Sequence, residues 1–350
     1  MRKRMIGAGF ALLGATGLHR LAPASMRGIG AILMLHHVRP RQADPFRPNG
    51  LLEITPEFLE ALIIRLRQRG YDFVTMDEAV ARIAAADAAV QKPFVTLTFD
   101  DGYRDNRDHA LPILERHACP FMLYVTPGFA DRSARLWWLE LEEAIRRSPR
   151  VDTTVGGETL LLAASTPKEK QEAWDAIYTR LRRGDETQLL GVVDRLCATA
   201  GIDRPALVAG VCMDWDEILA LSRHALATVG AHTMTHPRLA KLDEAAMIEE
   251  IDRSRTAIEA RISRPVRHFA YPVGDPTSAG PREFVAARDL GFASAVTTRP
   301  GLLFAEHAAH LDALPRLSVN GDWQDLTNIE VLLSGAAFAL WNRGRKVNAA

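Results

Sequence analysis

Short, continuous apolar runs alternate along this chain with longer stretches in which apolar positions recur every three or four residues. The runs are Ala31–Leu35, Phe73–Thr75, Phe94–Phe99, Phe121–Val125, Thr228–Ala231, His268–Tyr271, Phe292–Thr297 and Leu314–Val319. They read as strands covered on both faces, because a half-exposed strand would alternate apolar with polar residues. Thr55-Pro56 opens a stretch of the second kind. The threonine offers an N-cap oxygen, and the proline brings a preset φ and no N–H to lose. Phe58, Leu59, Leu62, Ile63 and Leu66 then share one helix face, and Gly70 ends it. Helices are predicted also over Asp77–Ala85, Asp214–His224, Asp243–Ile262 and Pro281–Leu290, and one is expected between a glycine turn after Phe99 and His117. Strands that alternate with helices run parallel, so the pattern predicts an α/β barrel or a doubly wound sheet. Both put ligands at the carboxyl ends of their strands.

The rhythm breaks from Leu136 to about Val211, where helices but no barrel strand are predicted. Thr166-Pro-Lys-Glu169 is a capping box that opens a helix over Lys168–Arg183. Residues from about 132 to 212 are therefore expected to form a helical cap inserted on one loop. The resulting organisation has a basic apolar segment at 1–30, the α/β unit with its insert at 31–320, and a C-terminal amphipathic helix with a basic tail at 321–350.

Charge adds a distinction between the ends and the middle. The 43 basic and 43 acidic side chains cancel, which leaves no basic excess for a dedicated nucleic-acid binder. Yet Arg2, Lys3, Arg4, Arg20, Arg27, Arg39 and Arg41 all precede the first acid, Asp44, and Arg343, Arg345 and Lys346 follow Trp341 with no acid among them. The apolar runs Met5–Leu18 and Val331–Trp341 beside these charges fall short of the ~20 residues a spanning helix needs. Met5–Leu18 admits three readings: the core of a signal peptide cleaved before Ser25, a cationic helix lying on a membrane surface, or a terminal helix packed on the domain. A cytoplasmic protein, or one peripheral to the inner membrane through its terminal helices, is expected, with export as the alternative. Cys119, Cys197 and Cys212 are odd in number and lack CxxC spacing. They exclude a disulfide framework and a cysteine zinc site, and read as small apolar fillers.

Two segments carry chemistry. In Thr96-Leu-Thr-Phe-Asp100-Asp101-Gly102-Tyr103, a strand runs into two adjacent carboxylates, which repel unless a metal, cation or proton neutralises one. In Val229-Gly-Ala-His232-Thr-Met-Thr-His236-Pro237, a strand ends in two histidines four apart, able to face one metal. Each alone is weak: Asp-Gly is a common turn, and eleven histidines make such a pair frequent. Together, one carboxylate and two imidazoles form a three-ligand set with positions left for water and substrate, and the second carboxylate is free to act as general base. The residues thus predict metal-assisted hydrolysis.

Thr98-Phe-Asp-Asp-Gly-Tyr103 followed by His232-Thr-Met-Thr-His236 resembles the first two motifs of the NodB-homology polysaccharide deacetylases, carbohydrate esterase family four. Trp215-Asp-Glu-Ile, Phe269-Ala-Tyr-Pro-Val-Gly274 and Leu314-Pro-Arg316 extend the resemblance over about residues 31–320. It implies a distorted (β/α)7 barrel, a divalent metal ion, usually zinc, and removal of N-acetyl groups from an amino-sugar oligo- or polysaccharide of the chitooligosaccharide kind. Carried over by position, Asp101, His232 and His236 hold the metal and Asp100 is the base. The backbone N–H of Tyr103 holds the oxyanion, and Thr233 or Thr235 orients the histidine turn.

This chain departs from the family pattern in three places. The third motif commonly reads Arg-Pro-Pro-Tyr-Gly, and its arginine fixes the base; here Ala270 stands in that position. Arg316 is expected to orient Asp100 instead, with Arg267 the solvent-facing alternative. Val273 replaces the motif's aromatic residue. The late Leu-x-His motif that supplies a general acid has no clean match, and His310, with His307 beside it on an expected loop, is the candidate substitute. His36-His37 is weighed between a pocket role and a structural one, and Trp137-Trp138 between a sugar platform and core packing; Trp215 is expected to pack. Two rival functions stand beside the deacetylase: amide hydrolysis on a non-sugar substrate, and a non-catalytic glycan-binding or membrane-associated assembly protein.

Overall fold

Where the sequence is continuously apolar, the chain forms strands with every residue buried: β1 (Gly30–Leu35), β3 (Phe94–Phe99) and β4 (Phe121–Val125), with a half-buried two-residue β2 (Asp72–Phe73) between β1 and β3 in sequence. A computed structural model describes residues 16–85 and 92–349. The remaining strands are β5 (Ala227–Ala231), β6 (His268–Ala270), β7 (Ser294–Pro300) and β8 (Leu314–Ser318). All pairings in this sheet are parallel. β1 pairs β3 on one edge, with Leu33 opposite Leu97, and β8 on the other, with Leu33 opposite Leu317. Seven strands therefore close into a barrel, and β2 merely extends the start of β3. The pattern of apolar runs left a doubly wound sheet open; the double pairing of β1 decides for closure.

Closure sorts side chains by parity. Ile32, Phe94, Met122, Tyr124, Ala270, Val296 and Leu314 form one cluster. Their neighbours in sequence, such as Leu33, Val95, Leu97, Leu123 and Leu317, form another with the surrounding helices. Counting by twos from Phe94 reaches Thr96, Thr98 and Asp100, and from Leu314 reaches Arg316, so buried polar groups collect on the face that Phe94 and Leu314 share.

The outer helices follow the predicted signals. In α1 (Pro56–Gln68), Thr55 Oγ1 accepts the Phe58 N–H at 3.2 Å, and Leu59, Leu62, Ile63 and Leu66 are buried. Thr75, read as a strand end, instead caps α2 (Met76–Ala84).

The insert differs from the expected all-helical cap. Between α3 (Trp137–Arg147) and α4 (Pro167–Arg183) lies an antiparallel hairpin, Arg150–Val155 with Glu158–Ala163. Its signal was legible: Val151, Thr153 and Val155 alternate inward, and Gly156-Gly157 supplies the two positive φ values (61° and 81°) of a tight turn. Leu141, Ile145, Val151, Trp174, Ile177 and Val193 give the insert its own core. The predicted capping box is present at Thr166 and Glu169.

At the chain ends, the expected C-terminal helix is broken at Gly335 (φ 78°) into Leu326–Leu333 and Ala336–Trp341. Most of the Met5–Leu18 run, residues 5–15, lies outside the described residues. Among the described residues, no helix is long and apolar enough to cross a membrane.

Candidate active site

Asp100 follows β3, and its N–H bonds to Leu35 O at 3.0 Å, continuing the ladder one step past β1. Asp101 and Gly102 then both take left-handed backbone (φ 73° and 70°), which turns the chain sharply. This turn is held from the end of the insert: Arg104 N–H bonds Val211 O at 2.8 Å, and Met213 N–H bonds Gly102 O at 3.0 Å. In that bridge the N–H of Tyr103 itself is not a donor. The Tyr103 ring lies on His37 with centroids 3.5 Å apart, and its hydroxyl accepts the Trp138 Nε1–H at 3.2 Å.

Asp100 is clamped by Arg316. Nη1 donates to Oδ1 and Nη2 to Oδ2, each at 2.7 Å, with both side chains buried. Arg316 also donates from Nε to Thr297 O (2.8 Å) and from Nη1 to Thr98 Oγ1 (3.2 Å). Burial alone would raise the Asp100 pKa; the Arg316 charge, then His232 and the hydrogen bonds, pull it below the ordinary value, so the group is a carboxylate. Arg267, the alternative, is exposed and pairs with Asp77 at 3.1 Å.

The second carboxylate meets both predicted histidines. Asp101 Oδ1 lies 3.5 Å from His232 Nε2 and 3.3 Å from His236 Nε2, and the three donor atoms all lie within 4.8 Å of one another. Asp101 Oδ1 is buried yet has no hydrogen-bond partner among the described residues. Two donors each ~2.1 Å from a tetrahedral ion stand about 3.4 Å apart, so the spacing and the orphaned oxygen both fit a divalent cation. His232 Nδ1 lies 2.7 Å from Ala270 O, a contact that places the ring proton there and turns the Nε2 lone pair toward Asp101. The position that lacks the family's arginine thus supplies a backbone acceptor. Burial pushes the Asp101 pKa up, but its two histidines hold it well below the usual range; for His232, burial pulls down and Asp101 raises it on balance.

Both threonines of the histidine turn act as braces. Thr233 Oγ1 donates to His232 O (2.6 Å) and accepts the His236 N–H (3.0 Å); Thr235 Oγ1 donates to Glu250 (2.6 Å). They hold a turn in which Thr233 and His236 have φ of 61° and 66°.

Two of the weighed pairs divide. His36, one residue past β1 and opposite Asp100 in register, brings Nε2 to 4.0 Å from Asp100 Oδ2 and keeps 18% of its side chain exposed. Burial lowers its pKa, so it is neutral in the resting site. Its position at a barrel strand's carboxyl end was the available signal. His37 is buried and bonded to Asp105 at 2.6 Å. Trp137 and Trp138 are both core residues, 6% exposed, which removes them as open sugar platforms; Trp138 nonetheless rests its ring 4.8 Å from His236. Trp215 donates to Asp131 at 2.6 Å, with Arg261 over its ring.

The expected acid is corrected by topology. His310 sits on the connection that leads into the first residue of β8, and Leu303 of that connection bridges Gly30, the first residue of β1. That is the amino end of the barrel, whereas Asp100 lies at the carboxyl end, a strand's length of roughly 17 Å away. His307, expected on an exposed loop, is buried; burial lowers its pKa to about 4, and its Nδ1 accepts the Phe304 N–H at 3.0 Å.

A carboxylate fixed by a buried arginine, a cation-sized gap between Asp101 and two imidazoles, and a neutral imidazole beside them can deprotonate water next to a polarised carbonyl. A family model described as polysaccharide deacetylase matches residues 87–293. The fold is similar to a deacetylase of Streptococcus pyogenes solved with acetate (TM-score 0.56, 16% identity, 85% of this chain and 95% of that one). It is also similar to IcaB of Ammonifex degensii (0.53, 19%, 87% and 97%) and a de-N-acetylase of Aggregatibacter actinomycetemcomitans (0.53, 13%, 86% and 99%). No curated protein sequence matches.

Proposed function

This chain belongs to the polysaccharide deacetylase family, and we propose that it hydrolyses N-acetyl groups on an amino-sugar oligo- or polysaccharide of the chitooligosaccharide kind, with a divalent cation as cofactor. The observation that carries the reading is the orphaned Asp101 Oδ1 facing His232 and His236 beside the clamped Asp100. Asp101, His232 and His236 hold the cation, zinc first for a donor set of two imidazoles and a carboxylate. When bound, it supplies Lewis-acid polarisation of the acetyl carbonyl and lowers the pKa of water.

The chain's own groups do the rest. Asp100 takes the proton of the attacking water, and Arg316 keeps that carboxylate ionised and fixed in direction until it does. The new C–O bond forms as the carbonyl oxygen gains charge, which the Tyr103 N–H stabilises. His36 is 4.0 Å from Asp100 and relays the proton to the leaving amine; the C–N bond then breaks to give acetate and the free amino sugar.

Acetate release from N-acetylglucosamine oligomers, with and without a chelator, tests the reading in wild type and Asp100→Asn. Release that needs the metal and Asp100 is expected. Absent or chelator-insensitive release, with glycan binding intact, would favour a glycan-binding protein instead.

A further inference from the structure

Three residues beyond His36 the chain enters a second cavity. It has a volume of about 500 Å³, and Arg39, Arg41, Arg47, Glu53, Gln171 and Gln324 are among its lining residues. Glu53 and Ile54, which line it, pair in parallel with His37 and Val38, so it lies close to where the active-site strand ends. Three peptide units bound the Arg39 Cα to within about 11 Å of the His36 Cα, which is two to three sugar rings at most.

The lining is biased toward hydrogen-bond donors. Glu53 has both oxygens taken, Oε1 by Arg39 Nη2 (2.6 Å) and Oε2 by Arg47 Nη2 (2.5 Å). Gln324 Oε1 already accepts the Thr55 N–H at 2.9 Å, which leaves its amide N–H groups for the cavity. The Nε atoms of Arg39 and Arg47 are buried and have no partner among the described residues. Arg41 is exposed and makes no ion pair with any described residue. Three guanidinium groups against Glu53 and Asp322 give the lining one net positive charge. A sugar hydroxyl must donate as well as accept, and meets Glu53 and Gln324 oxygens that already accept; an oxyanion only accepts, and guanidinium forks match its geometry.

We propose that this cleft binds an oxyanion, a carboxylate or phosphate, on a sugar neighbouring the one that is deacetylated, so that the substrate is an acidic glycan. The inference takes its substrate from the deacetylase reading, but the cleft's charge preference is measurable without turnover. Calorimetric binding to the full chain compares three probes: a neutral N-acetylglucosamine tetramer, a tetrasaccharide alternating N-acetylglucosamine with glucuronate, and a phosphorylated N-acetylglucosamine oligomer. Wild type is expected to bind at least one charged probe about tenfold tighter than the neutral one, with the preference shrinking as salt rises. The two charged probes tell carboxylate from phosphate.

Arg41→Gln with Arg47→Gln is expected to erase the preference while leaving neutral binding unchanged. Arg41→Gln alone, at an exposed and unpaired position, should lose part of it with an unaltered melting temperature. Equal binding of charged and neutral probes, no binding of any, or a preference that survives both substitutions would overturn the proposal. Acetate release on the same proteins separates the two readings: a charge preference without any release rejects the deacetylase and keeps the anion site, and the reverse result does the opposite.

Discussion

Arg316 and Asp100 lie 216 positions apart in sequence and are joined by two parallel hydrogen bonds of 2.7 Å inside the barrel. Bidentate pairing fixes the carboxylate plane as well as its charge, and Thr297 O and Thr98 Oγ1 fix the guanidinium in turn. An arginine from the last strand thereby performs the task that the family's pattern gives to the position of Ala270.

Removing Arg316 should therefore harm folding and chemistry by separable amounts. Arg316→Met leaves a buried, unpaired carboxylate and is expected to cost about 3–5 kcal/mol in denaturant melts. Arg316→Met with Asp100→Asn should recover most of that stability, while acetate release stays at background in both. Wild-type-like activity in Arg316→Met would show that Asp100 needs no such partner.

Replacing His36 tests the proton relay. His36→Asn is expected to lower kcat about 10²–10⁴-fold and to leave metal content and melting temperature near wild type, because the ring is partly exposed and is not among the three cation donors. A kcat within threefold of wild type would remove it from the mechanism, whereas His310→Asn should be silent.

Cation binding should report on stability without substrate. Adding zinc to chelator-treated protein at a hundred times its Kd is expected to stabilise the fold by about 2.7 kcal/mol. Asp101→Asn and His232→Ala should abolish that gain in differential scanning calorimetry. An equal thermal shift in these variants would place the ion elsewhere.

Acid stability should trace to Glu217. Burial would raise its pKa, but Arg104, the Asp214 N–H and Arg107 hold it down to about 2. A carboxyl whose folded pKa lies below its unfolded value of 4.5 stabilises fully above about pH 4.5 and loses that contribution as pH falls toward 2. Glu217→Gln should lower stability at pH 7 by about 1–2 kcal/mol, allowing for solvent screening, and converge with wild type near pH 2. Because Arg104 follows Tyr103, the same variant should lower activity modestly at neutral pH.

The sequence by itself determined the strands and helices of the barrel, because continuous apolar runs and caps such as Thr55 act over a few residues, as the cap at Thr166 does in the insert. It also determined the donor types: Asp100, Asp101, His232 and His236 stood at strand ends, where α/β folds gather ligands. The hairpin at Arg150–Ala163 has its own local signal in alternation and paired glycines, but it lies outside the barrel's strand–helix rhythm. Only the tertiary structure decided that the strands close, since closure depends on β1 finding a partner on each edge. It decided likewise that Arg316 rather than Arg267 meets Asp100, that His36 lies beside the site, and that His310 sits at the barrel's far end. Those outcomes depend on strand register and on which end of the barrel a loop occupies. Both are set by pairings between segments far apart in sequence, such as Leu33 with Leu97 and with Leu317, and local residue patterns carry no record of them.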